Sequence, residues 1–147
     1  MVREIANVGT IAHIIQLSVA PVFLLTGVGT ILNVMANRLG RIIDRARLLE
    51  AKLEAAHPED AEKLHTNLAT LSLRAKLIGR AITLCTITAL LVCTVIVILF
   101  LGDFLHFDTS IPVALLFIIA MILLVLGLLW FLREIFVATA RLRIGPH

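Results

Sequence analysis

The sequence predicts an all-α integral membrane protein with three spanning helices, the first two extended into a cytoplasmic antiparallel helical hairpin. Three observations predict it. Hydrophobic residues make up 60% of the 147 positions and the mean hydropathy is +1.04, well above the roughly 45–50% apolar share of soluble domains. They gather in three runs, Ile11–Met35, Ile78–Leu101 and Ile111–Leu132, each reaching the about 20 residues that cross a bilayer. The basic residues are also one-sided: of 13 Lys and Arg, nine lie between Arg38 and Arg80, while the loop 102–110 has Asp103 and Asp108 but no base.

The positive-inside rule then sets the topology. The N-terminus and the 102–110 loop are expected outside. The segment 36–77 and the tail 133–147, with Arg133, Arg141 and Arg143, are expected in the cytoplasm. The whole chain, 1–147, reads as a single membrane domain. A cleavable signal is not expected, because the first apolar run exceeds the roughly 7–15 residues of a signal core. Topology accounts for the basic excess, so no nucleic-acid partner is implied.

The first spanning segment, about 11–35, continues as helix beyond the membrane. An apolar seam at steps of three and four supports this: Val28, Leu32, Met35, Leu39, Ile42, Ala46, Leu49 and Leu53. The helix is expected to end near His57. Pro58, Glu59 and Asp60 suit a new helix start, since Pro is tolerated in a first turn and acids favour the positive dipole end. The second helix carries its own seam of Leu64, Leu68, Leu71, Ala75, Ile78, Ile82, Cys85, Ala89, Val92, Ile96 and Leu99. Both seams cross the membrane surface unbroken, so the helices should pack as one hairpin projecting roughly 30 Å beyond the bilayer.

The second spanning segment covers about 78–101 and Gly102 is expected to end it. Asp108, Thr109 or Ser110 should cap the third helix, with Pro112 in its first turn. The third spanning segment, about 111–132, is almost devoid of polar side chains and is expected to face lipid. It should continue through Arg133 and Glu134 to about Arg143. Trp130, Phe131 and Phe136 at one end, and Phe100, Phe104 and Phe107 at the other, suit interfacial belts.

A polar stripe on the first helix is the feature that lipid crossing does not require. His13, Gln16, Ala20, Phe23, Gly27, Thr30, Val34, Asn37, Arg41 and Asp44 share one face at heptad-like steps. The stripe lies about 150° from the apolar seam, so it points away from the second helix, toward the third helix or another subunit. Amides such as Gln16, Asn33 and Asn37 need partners or water in a membrane. Two readings compete. Ala20, Gly27 and Thr30 are small enough for close helix packing. Alternatively, copies of this face line a pore with Phe23 as an apolar constriction, His13 and Gln16 as outer vestibule, and Arg41 and Asp44 as inner mouth. Pro21 is a hinge candidate within the same helix.

The run Asn37 to Arg47 is the densest polar cluster, with Asp44 placed at i±3 from Arg41 and Arg47 for local ion pairs. Arg38, Arg45, Arg47, Arg74, Lys76 and Arg80 are candidates for anionic-lipid contact. The hairpin tip carries Glu54, Glu59, Asp60 and Glu62 and could seat a cytoplasmic protein partner. No catalytic constellation, cofactor motif or metal motif emerges. Glu62-x-x-His65 is one copy where a di-iron bundle needs two, and His57, His106 and His147 are dispersed. Ser18, Ser72 and Ser110 lack a placed base and acid. Cys85 and Cys93 read as small packing residues, and Thr83, Thr86, Thr88 and Thr94 can return their hydroxyls to the helix backbone. An enzyme is therefore not expected.

The segment IAHIIQLSVAPVFLLTGVGTILNVMANRLGRIIDRARLLE, with its His13, Gln16, Pro21, Asn33, Asn37, Arg38, Arg41, Asp44, Arg45 and Arg47, resembles a family of small bacterial membrane proteins known only as a domain of unknown function. The three-segment layout extends the resemblance over nearly the whole chain. It implies three helices and a bacterial inner-membrane location, and no reaction, ligand or cofactor. The expectation for function is a small homo-oligomeric channel or pore lined by the first helix, contacting membrane lipids. The alternative is a non-conducting scaffold whose hairpin binds a protein partner or anionic lipid.

Overall fold

The computed structural model describes residues 1–140. Helix α1 spans Val2–Glu54, α2 spans Pro58–Leu105 and α3 spans Ser110–Ala140. There is no strand among the described residues. Each helix is long and apolar enough to cross a membrane. Arg141, Arg143 and His147 lie outside the described residues.

Two tight turns separate the helices. α1 stops at Glu54, three residues short of the expected His57, because Ala55 and Ala56 fold back onto the carbonyls of Lys52 and Leu53. His57 is extended (φ −71°, ψ 155°) and its carbonyl accepts the N–H groups of Asp60 and Ala61, with Pro58 opening α2. Glu59 and Asp60 occupy the first turn of α2, where carboxylates complement the helix dipole.

α2 does not end at Gly102. It runs on to Leu105, and His106 takes the left-handed conformation (φ 57°). Its N–H donates to the Asp103 carbonyl, and the Phe107 N–H donates to the Gly102 carbonyl at 3.1 Å, the paired bonds of a Schellman termination. Gly102 instead makes room, since a Cβ there would collide with the Thr109 side chain. The glycine lets the turn fold back onto the helix end. Asp108 Oδ1 accepts the Ser110 N–H at 3.0 Å. Bonds from the Ser110 side chain and backbone hold the Asp108 carboxyl below its ordinary value.

α2 is the central helix, with α1 and α3 each packed along it. The two seams read in the sequence form one part of the core. Val28, Met35 and Ile42 of α1 are buried with Leu71, Ile78 and Cys85 of α2, each a heptad from the next. Leu32, Leu39, Ala46, Ala75, Ile82 and Ala89 pack around them.

The α2–α3 contact follows a second line. Thr88 Oγ1 donates to the Ala120 carbonyl at 3.2 Å. One heptad toward the hairpin, Gly127 faces Ala81 and Cys85 so closely that a Cβ would lie 3.0 Å from Cys85 Sγ. One heptad further, Arg74 meets Glu134. Small residues let these two helices approach, as expected where dispersion rather than the hydrophobic effect holds helices together. The outward face of α3 exposes Leu115, Ile118, Ile122, Val125, Leu129 and Leu132.

Candidate functional site

The one place where all three described helices meet through charge is Glu134. Its carboxylate is wholly buried. Oε1 accepts the Arg74 Nε–H at 2.9 Å and lies 2.9 Å from Arg74 Nη2. Oε2 meets Arg38 Nη2 as an ion pair at 3.0 Å, without the alignment of a hydrogen bond. The hairpin puts the two arginines level: Arg38 precedes the end of α1 and Arg74 follows the start of α2 by equal lengths. The Arg38 guanidinium also lies 5.5 Å from the Phe131 ring centroid. Among the described residues these are the ion pairs within 4 Å; Asp44 forms none with Arg41 or Arg47. At an exposed position such a pair is worth only about 0–1 kcal/mol, so local charge does not fix those side chains.

A buried carboxylate in an otherwise apolar helix is stable only when paired and hydrogen-bonded. Two guanidiniums from separate helices meet that demand. Sequence reasoning alone places Glu134 only as part of the helix continuation. The signal in the sequence is that α3 has no other acid.

The arginines continue into a recess of about 390 Å³ lined by Arg38, Arg41, Ile42, Arg45, Leu71 and Arg74. A neighbouring recess of about 420 Å³ shares Arg45, Leu71 and Arg74 and reaches α3 at Val137 and Ala138. The six lipid-contact candidates therefore divide. Arg38, Arg45 and Arg74 line these two recesses. Arg47 lies on another groove with Glu50 and His65. Lys76 and Arg80 line a hollow with Trp130. The Arg80 and Arg133 guanidiniums lie 5.0 and 5.7 Å from the Trp130 ring centroid, within cation–π range.

The α1 stripe is exposed along its whole length, from His13 through Gln16, Ala20, Phe23, Gly27, Thr30, Val34, Asn37 and Arg41 to Asp44. It does not pack on the third helix. Phe23 is 73% exposed. Thr26 and Thr30 return their hydroxyls to the Val22 and Thr26 carbonyls, and Asn37 donates to Asn33 at 3.4 Å. The stripe is not straight. A heptad line on an α-helix drifts by about 20° per repeat, and its two ends turn toward neighbours. His13 lines a recess at the α2–α3 turn with Asp103, His106 and Asp108, and Arg41 lines the arginine recess.

Pro21 is buried in an unbroken α1, and one turn earlier the buried Ser18 Oγ has no partner among the described residues. Cys85 is buried and Cys93 exposed. The threonines of α2 bond the carbonyl four residues back. No group of three or more His, Cys, Asp or Glu among the described residues could hold a metal ion.

A family model described as a protein of unknown function, DUF2721, matches residues 18–144. The chain belongs to the DUF2721 family. The match takes in the arginine cluster and Glu134 together, so the DUF2721 region includes every residue of the three-helix charge contact. No curated protein and no solved structure matches this chain.

Proposed function

We propose that this DUF2721 protein is a homo-oligomeric channel of the bacterial inner membrane, with α1 toward the symmetry axis and its polar face lining a small ion pore. The supporting observation is the exposure of the entire His13–Asp44 face in a helix whose other face is packed against α2. Lipid is a poor neighbour for Gln16, Asn33 and Asn37, which find either a second copy or water. In the assembly the N-terminus and the 102–110 turn are outside, the hairpin and C-terminus inside. Phe23 supplies the apolar constriction. The protein acts by assembly and conduction, not as an enzyme.

The test is ion flux through purified protein in liposomes. Flux that rises in Phe23→Ala supports the pore; equal leakage from both proteins and empty vesicles rejects it. A second reading, a non-conducting scaffold, is favoured by the groove of about 520 Å³ along Ile42, Ala46, Leu68 and Ser72 at the hairpin, which suits a segment of a protein partner. Capture of such a partner, lost on deleting residues 48–66 while membrane assembly persists, would support it.

A further inference from the structure

We infer that the arginine recess is a binding site for a phosphate-bearing anion, the headgroup of an anionic phospholipid in the leaflet next to the hairpin. Four guanidiniums line one small volume, and the carboxylate of Glu134 pairs with only two of them, Arg38 and Arg74. Glu134 engages Arg38 and Arg74 through a few of their N–H groups, leaving most of the donors of each unused. Arg41 and Arg45 have no ion-pair partner among the described residues. They are one helical turn apart on the same face of α1 as Arg38. An anion among these like charges offsets their mutual repulsion, and guanidinium forks match phosphate oxygens in pairs.

Glu134 gives the site its shape. It fixes two guanidiniums from different helices at the inner edge, so they are held in place before any ligand arrives. Ile42 and Leu71 form an apolar floor, suited to the glycerol and first methylenes of a lipid. The depth favours a lipid over a soluble phosphate. The apolar run of α3 ends at Leu132, two residues before Glu134. Trp130, with Arg80 and Arg133 against it, carries the aromatic-and-cation signature of a membrane interface. A headgroup at this level can place its phosphate between the arginines while its chains run along exposed α3.

The inference requires the chain to be in a membrane but does not depend on conduction, and it is read by binding alone. The experiment is native mass spectrometry of the full-length protein titrated with phosphatidylglycerol or phosphatidylcholine, with glycerol 3-phosphate as the soluble arm. The wild type should retain phosphatidylglycerol at least tenfold more tightly than phosphatidylcholine, and glycerol 3-phosphate only weakly. Arg41→Gln/Arg45→Gln, which leaves the Glu134 contact intact, should abolish that preference. Arg47→Gln/Lys52→Gln, with the same loss of charge outside the recess, should keep it. Unchanged Trp130 emission identifies folded variants. Equal losses in both double variants, or an undiminished preference in Arg41→Gln/Arg45→Gln, would overturn the site. Glycerol 3-phosphate binding as tight as the lipid would overturn the lipid source.

Discussion

Replacing Glu134 with Gln should be the most damaging single change of a polar residue in the chain. The carboxylate is fully buried, while the side chains of Arg38 and Arg74 are 27% and 23% exposed. The substitution keeps the shape and removes the charge that both guanidiniums face. Breaking a buried pair by removing one partner costs about 3–5 kcal/mol, because the remaining charge is left uncompensated. Partial exposure of the arginines lets solvent recover some of that loss, so we expect about 3 kcal/mol. Arg74→Gln should cost about as much, since Arg74 supplies the aligned hydrogen bond at 2.9 Å. Arg38→Gln should cost less, since its contact is not so aligned. The triple replacement Glu134→Leu, Arg38→Met, Arg74→Leu should recover most of the stability, because buried ion pairs often exchange for apolar packing at little cost. The assay is reversible unfolding in mixed micelles by sodium dodecyl sulfate titration. Trp130 is the sole tryptophan, one helical turn from Glu134, and reports the transition. If Glu134→Gln lay within about 0.5 kcal/mol of wild type, the usual range for an uninvolved surface change, the three-helix charge contact would not hold the bundle together.

Gly127→Val should separate α2 from α3 and cost about 1–3 kcal/mol in the same titration, as overpacking does, because even a Cβ there meets Cys85 Sγ at 3.0 Å and the Ala81 carbonyl at 3.4 Å. Gly29→Ala is the control: a Cβ there meets nothing within 4 Å, and no loss should appear. Phe23→Ala should leave unfolding of the monomer within about 0.5 kcal/mol, since Phe23 is 73% exposed, yet raise liposome flux severalfold; lost flux with retained assembly would deny Phe23 the role of constriction.

The first helix pair is legible because its seam is made of apolar residues, and apolar periodicity is what a sequence displays most clearly. Val28, Met35 and Ile42 meet Leu71, Ile78 and Cys85 as their spacing predicts. The second seam is not legible for the complementary reason. Arg74, Ala81, Thr88, Val95 and Gly102 on α2, with Ala120, Gly127 and Glu134 on α3, repeat every seven residues. They are mostly small or polar, and inside an apolar run such residues read as interruptions rather than a face. In a membrane, small residues mark close helix contact, so size periodicity is the signal that finds this line. Glu134 is hidden because its partners lie 60 and 96 positions away in sequence, beyond any local pairing rule. The end of α2 is misjudged when Gly102 is read as a helix terminator, because its missing side chain makes room for Thr109.

The polar stripe of α1 is legible as a face. Its exposure excludes α3 as its cover. Arginine placement is only partly legible: the charges are plain, but their division among two recesses, a groove and Trp130 depends on how α1 and α3 pack against α2.

Disulfide cross-linking in a cysteine-free background decides whether α1 lies at the contact between subunits. With Cys85 and Cys93 replaced by Ala, Ala20→Cys on the α1 stripe should form covalent dimers rapidly in native membranes, and Leu129→Cys on the exposed face of α3 should not. Cross-linking at Leu129→Cys with none at Ala20→Cys would place α3 at the subunit contact and contradict an assembly centred on α1.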